Sequence, residues 1–153
     1  MRFYAAGRGT SAPTSTLPAF SLISATTRAG MIREVGLFNT TASACAVSLR
    51  KFSTSGTAGS TINSGSYDTL EDGSVVASAL TMKDSFTSTA PTLVNGAVKQ
   101  ASLGAAIGSG VIWTFGDIGI KVPKTSSGGA AHCGVLCPSG TGQILDFSFD
   151  WDE

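Results

Sequence analysis

Residues 145–152 alternate strictly between apolar and polar side chains, and this pattern constrains the fold more than any other feature of the sequence. Successive side chains of a β-strand point to opposite faces, so a period of two predicts a strand with one buried face. Three aromatic rings would then point toward a core, and three carboxylates toward water, a basic partner or a neighbouring subunit. The apolar residues are Leu145, Phe147, Phe149 and Trp151, and the polar residues are Asp146, Ser148, Asp150 and Asp152.

Other stretches of the chain repeat this alternation or are apolar runs bounded by Gly, Ser and Thr. We expect roughly seven to nine short strands, without the regular succession of strands and helices that builds a parallel sheet. The sequence therefore predicts an all-β fold, a two-sheet antiparallel sandwich that is jelly-roll-like, with residues 1–153 as a single domain. The other predicted strands lie within residues 17–25, 31–39, 44–50, 93–103, 111–115 and 133–137.

Two local patterns depart from the period of two. Val76 and Leu80 lie four residues apart, and Ser74 is a residue type that caps the first turn of helices, so one short helix is predicted near residues 74–83. Asn95 and Gly96 tolerate the positive φ angles of a type I′ turn, which predicts a tight hairpin there.

The charge pattern limits the classes of partner. Charged side chains make up only 13% of the chain, and ten basic and ten acidic ones give a net charge of zero, so we expect no nucleic-acid partner. Residues 100–116 are apolar but interrupted by glycines and shorter than the roughly 20 residues that span a bilayer, so we expect no membrane association. Residues 1–8 lack the apolar run of a signal peptide, and an odd number of cysteines argues against a secreted disulfide framework, which favours synthesis in a reducing cytoplasm.

Residue types that carry catalysis or bind metals are few and poorly spaced. His132 is the single histidine, and it precedes Cys133, with Cys137 four residues further on. On a strand the two cysteines would lie roughly 13 Å apart on one face with His132 on the other, so we predict no metal site. The acidic residues within 68–72 do not follow a calcium-loop pattern and are interpreted as a solvated loop. No nucleophile motif or phosphate-binding loop occurs, so the sequence predicts neither an enzyme nor a cofactor.

Four stretches of the chain resemble a family of small structural proteins of tailed phages. They are residues 1–10 (MRFYAAGRGT) together with Leu17 and Pro18, 32–42 (IREVGLFNTTA), 103–117 (LGAAIGSGVIWTFGD) and 140–153 (GTGQILDFSFDWDE). The resemblance extends over nearly the full length of the chain and is weakest between residues 53 and 94. The resemblance implies a β-sandwich decoration (cement) protein, usually a homotrimer, made in the host bacterial cytoplasm and bound in the virion to the major capsid protein. The alternative is a tail or baseplate component whose β-sandwich head binds a host receptor or glycan.

Charged and aromatic residues near both ends of the sequence are the candidates for contact with the capsid or with another subunit. Residues 1–18 are a candidate extended arm toward the shell, because this Thr-, Ser- and Pro-rich stretch has little apolar surface to bury. Arg33, Arg50 and Lys51 on other predicted strands are candidate partners for the carboxylates. The contact candidates are Arg2, Phe3, Tyr4, Arg8, Asp146, Asp150 and Asp152.

Overall fold

Two antiparallel β-sheets make up the described part of the chain, which confirms the predicted all-β class. The computed structural model describes residues 1–68, 76–94, 96–126 and 131–153. These ranges contain twelve strands and no helix, so none that could cross a membrane. The strands are β1 (Arg2–Arg8), β2 (Phe20–Ile23), β3 (Gly30–Asn39), β4 (Cys45–Phe52), β5 (Thr61–Ile62), β6 (Gly65–Ser66), β7 (Thr81–Asp84), β8 (Lys99–Leu103), β9 (Gly110–Thr114), β10 (Ile120–Val122), β11 (His132–Leu136) and β12 (Leu145–Asp152).

The first sheet is built around β12, which pairs with β1 on one side and with β3 on the other. β6 lies beyond β1, while β9 and β10 both pair with the far side of β3. The pairing of β3 with β12 contains a β-bulge, because Asp150 lies opposite Glu34 whereas Trp151 lies opposite Ile32. Arg33 is therefore the extra residue of the bulge.

The second sheet has the strand order β5, β7, β2, β11, β4, β8. All five residues of β11 are buried, as expected for a strand in the middle of a sheet with both faces covered. β8 forms one edge of this sheet, and the chain passes directly from β8 to β9 of the first sheet. The connection from β8 to β9 thus links an edge of the second sheet to an edge of the first.

Apolar side chains from both sheets pack into one core. The four apolar residues of β12 are all buried, which confirms the alternation predicted for this strand. Phe20 of β2 stacks on Phe147 of β12 with ring centroids 4.4 Å apart and meets Phe149 edge-on at 6.0 Å. Such aromatic contacts add to the free energy of area burial and tie the two sheets together.

The helix predicted near residues 74–83 is wrong where the structure describes it. Residues 76–80 form neither helix nor strand, and Thr81–Asp84 form β7, which pairs with β2. Pairing with β2 gives the backbone of β7 its hydrogen-bond partners and buries Met82. The free energy gained from these tertiary contacts outweighs the local preference for a helix that the spacing of apolar residues indicates. The predicted cap, Ser74, lies outside the described residues.

The turn predicted at Asn95 and Gly96 does not join two paired strands. The amide N–H of Val94 donates to the carbonyl of Lys51 (3.0 Å), and that of Val98 donates to the carbonyl of Leu49 (2.9 Å). Both flanks therefore bond to β4 rather than to each other, and Asn95 itself lies outside the described residues.

Residues 1–18 belong to the body of the fold, so the predicted extended arm is wrong. β1 pairs with β12 from Arg2 to Arg8. Beyond β1, the N–H of Gly9 donates to the carbonyl of Leu145 (2.9 Å), and the N–H of Cys137 donates to the carbonyl of Thr14 (3.0 Å). Backbone hydrogen bonds compensate for the sparse apolar side chains of this stretch.

Hydrogen bonds to the Glu153 side chain connect residues 78–80 to the end of β12. The carboxylate accepts hydrogen bonds from the N–H groups of Ala79 (2.9 Å) and Leu80 (3.1 Å), from the Ser78 hydroxyl and from Trp151 Nε1 (3.1 Å). Burial alone would raise the pKa of Glu153, but these hydrogen bonds outweigh it and hold the pKa below its ordinary value.

The two faces of β12 predict different effects on stability for substitutions at two neighbouring residues. Phe149→Ala should lower the free energy of unfolding by about 3–5 kcal/mol, because it leaves a cavity between the sheets. Ser148→Ala changes the outward-facing neighbour and should shift it by no more than about 0.5 kcal/mol. Urea denaturation of both variants measures the difference, and similar losses would contradict the assignment of the two faces.

Candidate functional site

Six of the seven predicted contact residues lie together on the outer face of the first sheet. The register of β1 with β12 sets Arg2 opposite Asp152 and Arg8 opposite Asp146. Between these pairs Tyr4 lies opposite Asp150. The alternation that buries the aromatic face of β12 therefore brings these polar side chains to one surface.

Phe3 is the exception among the predicted contact residues. Its side chain is only 1% exposed and stacks on the Trp151 ring, with centroids 6.1 Å apart. Phe3 thus belongs to the core, and the prediction that it contacts a partner is wrong. The alternation of buried Phe3 and Ala5 with exposed Arg2 and Tyr4 was the signal in the sequence that identifies β1 as a half-buried strand.

Arginines within the same sheet bind two of the three carboxylates. Arg8 makes a bidentate contact with Asp146 (2.7 and 2.9 Å) in an exposed position, where such pairs contribute little to stability. Asp152 is held by Arg2 (3.1 Å) and, at closer range, by Arg33 (2.6 Å). Arg33 was one of three predicted basic partners, whereas Arg50 and Lys51 lie on β4 of the second sheet.

Arg33, the extra residue of the bulge, also binds the loop that follows β9. Its Nη1 donates to the carbonyls of Gly116 (2.9 Å) and Asp117 (2.6 Å), in the loop that follows β9. One guanidinium therefore connects β3, β12 and this loop. Burial alone would raise the pKa of Asp152, but the hydrogen bonds from Arg33 and Arg2 hold it below its ordinary value.

A cleft of about 310 Å³ opens on this face beside Arg33. Glu34 and Asp150 line it and lie directly opposite each other on β3 and β12. Like charges at opposed positions of neighbouring strands destabilise a sheet, and no described cation forms an ion pair with either. A basic group from outside the chain would find two carboxylates here. The cleft is lined by Arg2, Arg33, Glu34, Thr114, Gly116, Asp117 and Asp150.

Two exposed tyrosines lie beside Asp150 of the cleft. Tyr4 and Tyr67 are 41% and 56% exposed, with ring centroids 4.8 Å apart. The Tyr67 hydroxyl donates to Asp150 (3.1 Å), and partial burial together with this carboxylate raises the pKa of Tyr67. Sequence reasoning missed Tyr67, because it lies just after the two-residue strand β6, where no periodic pattern points to a face.

The surroundings of the single histidine differ from those of a metal ligand. His132 stacks between Phe52 (4.6 Å) and Phe86 (5.6 Å), and its Nε2 donates to the carbonyl of Thr54 (2.9 Å). Burial lowers the pKa of His132 to about 4 and raises that of Cys133, which faces the inner core, to about 12. Within the described ranges no three His, Cys, Asp or Glu side chains converge on a point that could hold an ion.

Comparisons of the chain with models of protein families, with curated proteins and with solved structures found no match.

The opposed carboxylates lead to a prediction about stability. Glu34→Lys should raise the free energy of unfolding by about 0.2–1 kcal/mol, because an opposite-charge pair with Asp150 replaces a like-charge pair. Glu34→Gln, which only removes the repulsion, should give a smaller rise. Urea denaturation at low ionic strength checks both, and a loss of stability in Glu34→Lys would show that the carboxylate has a partner within the chain.

The acid limb of the stability curve tests the ion pairs of Asp152. Because its pKa in the folded state lies below the ordinary 3.8, its stabilisation is complete above about pH 4 and disappears as the pH falls through the folded-state pKa. Asp152→Asn should therefore be less stable than the unmodified protein at pH 7, and the gap should close toward pH 2. Asp117→Asn is the matched control, since the Asp117 side chain makes no ion pair in the described part of the chain. A gap that persists unchanged at pH 2 would contradict the assignment.

Proposed function

We propose that this protein is a structural component of a phage virion, a decoration protein that binds the outer surface of the capsid and stabilises it through contact area. Its partner is the major capsid protein, and it acts without catalysis, cofactor or nucleic acid. In this proposal the chain is made in the host cytoplasm, and its two sheets form a jelly-roll-like sandwich.

The observation that carries the proposal is the location of the stretches that resemble phage structural proteins. Residues 1–10, 32–42, 103–117 and 140–153 contribute β1, β9, β12 and most of β3. These strands are neighbours in the first sheet. The stretches that carry the resemblance thus include neighbouring strands of one sheet with an exposed outer face, and this supports a protein that acts by docking.

The chemistry of that face also suits a protein partner. It combines ion pairs, the tyrosines and the opposed carboxylates of Glu34 and Asp150, which form no ion pair with a described cation. A protein surface that supplies Lys or Arg opposite Glu34 would remove the repulsion and gain electrostatic specificity.

A second candidate function is supported by the tyrosine pair. Exposed aromatic rings beside carboxylate and guanidinium groups can bind a sugar, whose apolar face stacks on a ring while its hydroxyls form hydrogen bonds. Tyr4 lies opposite Asp150, which lines the cleft, and the Tyr67 hydroxyl donates to the Asp150 carboxylate. This arrangement favours a receptor- or glycan-binding head on the phage tail.

Copy number and location in the particle separate the two functions. Decoration of the lattice should give hundreds of copies on the capsid, and virions lacking the protein should lose infectivity or DNA at lower temperature. A handful of copies on the tail, unchanged heat resistance of the capsid and binding of the isolated protein to a glycan array would overturn the decoration proposal.

A charge variant links the proposal to the face. Glu34→Lys should reduce binding to capsids lacking the protein although it stabilises the fold, because it replaces a contact carboxylate by a cation. Lys99→Glu on β8 of the second sheet is the control and should bind as the unmodified protein does. Cosedimentation with purified capsids measures both, and equal binding of the two variants would exclude the first sheet as the docking face.

A further inference from the structure

The edge of the first sheet at β9 offers backbone hydrogen-bonding groups to a partner. The N–H of Phe115 donates to Arg33 (2.9 Å), and the N–H of Asn39 donates to Ser109 (2.7 Å). Bonded and non-bonded pairs alternate along an antiparallel ladder, so the pairs that bond β9 to β3 are those of Val111 and Trp113. Gly110, Ile112 and Thr114 therefore direct their N–H and C=O groups to the open side, where no described residue accepts or donates.

This edge lacks the features that keep edge strands from pairing with other chains. Natural sheets protect their edges with charged residues, proline, bulges or very short strands. β8 carries Lys99, β10 carries Lys121, and β5 and β6 have two residues each. β9 has five residues without charge or proline, and Ile112 at its centre is 56% exposed.

Apolar side chains flank β9 on both sides. Ile107 in the loop before the strand is 74% exposed, and Ile118 in the loop after it is 87% exposed. Together with Ile112 these are the three most exposed large aliphatic side chains among the described residues. Exposed apolar side chains in and beside an open strand edge are typical of an interaction surface.

We propose that β9 pairs antiparallel with β9 of a second copy of this chain, about a twofold axis that passes through Ile112. In this register Ile112 faces Ile112 of the partner subunit, and Gly110 faces Thr114 of the partner subunit. Each of these pairs directs its N–H and C=O groups across the axis and can exchange two hydrogen bonds.

The flanking loops argue for a second copy over an unrelated strand. Any extended segment could satisfy the backbone groups of β9. Antiparallel self-pairing also places the loop before β9 beside the loop after β9 of the partner, so Ile107 approaches Ile118 of the partner subunit. One contact thereby covers all three isoleucines on both chains, which is the self-complementarity that a twofold interface requires.

The pairing goes beyond the proposed function and does not depend on it. It joins two first sheets into one continuous sheet, whose outer faces lie side by side. Two docking faces on one rigid body would strengthen binding to a repeated lattice by raising the effective concentration of the second contact. The contact gives pairs of subunits, whereas the phage resemblance implies trimers, and the mass of the assembly distinguishes them.

Disulfide trapping tests the axis directly. Residues that face each other in a bonded antiparallel pair have Cα atoms about 5.5 Å apart, within the range of about 4.4–6.8 Å that a disulfide bridges. The three natural cysteines are buried, so an introduced thiol would react alone. Ile112→Cys should form covalent dimers under mild oxidation, while the control Ser102→Cys, on the exposed edge strand β8, should remain mostly monomeric on a non-reducing gel. Equal cross-linking of both variants would overturn the proposal.

Sedimentation equilibrium of the full chain gives a second, independent measurement. The unmodified protein should show a monomer–dimer equilibrium, Ile112→Lys should weaken dimerisation at least tenfold, and Ser102→Lys should leave it unchanged. Circular dichroism of each variant verifies that the fold is retained, and Ile118→Lys repeats the test from the flanking loop. A monomer at all concentrations, a trimer, or an Ile112→Lys dimer of unchanged affinity would each overturn the twofold pairing.

Discussion

Burial of the aromatic face of β12 is the interaction on which the rest of the structure depends. β12 lies between β1 and β3, and its rings meet Phe20 of the opposite sheet. Because side chains alternate along a strand, burying Phe147, Phe149 and Trp151 fixes the register with both neighbours, since a slip of one residue would turn every ring to solvent. The core and the order of the first sheet thus have a common cause.

The same alternation determines the chemistry of the outer surface. With the rings inside, the carboxylates of β12 must point outward, where arginines of β1 and β3 bind two of them. The bulge at Arg33 lets one guanidinium reach both Asp152 and the loop after β9. Glu34 and Asp150 remain opposed without an ion pair to a described cation, and this part of the face does not add to the stability of the sheet.

Two features of the first sheet are unfavourable in an isolated subunit. The opposed carboxylates repel each other, and the uncharged edge of β9 exposes isoleucines together with unused backbone groups. Both become favourable when another protein supplies the missing group, a cation in one case and a strand in the other. The carboxylates lie on the outer face of the sheet and the unused backbone groups at its edge, and the two are adjacent, because Thr114 of β9 lies opposite Glu34 and lines the cleft.

Periodicity determined the fold class and the two faces of β12, because alternation is a property of neighbouring residues and needs no knowledge of the rest of the chain. The alternation of Phe3 and Ala5 with Arg2 and Tyr4 also indicates a half-buried strand, but it is short, and the Gly, Ser, Thr and Pro residues that follow are typical of a loop. Tertiary structure alone decided that residues 81–84 are a strand, since β2 supplies their hydrogen bonds and overrides a local helical spacing. Tertiary structure also decided that Arg33 is the extra residue of a β-bulge and that the rings of Tyr67 and Tyr4 are in contact. It further decided that β9 forms an edge of the first sheet. Each of these depends on which distant strand lies alongside, and that is settled by the packing of the whole sheet.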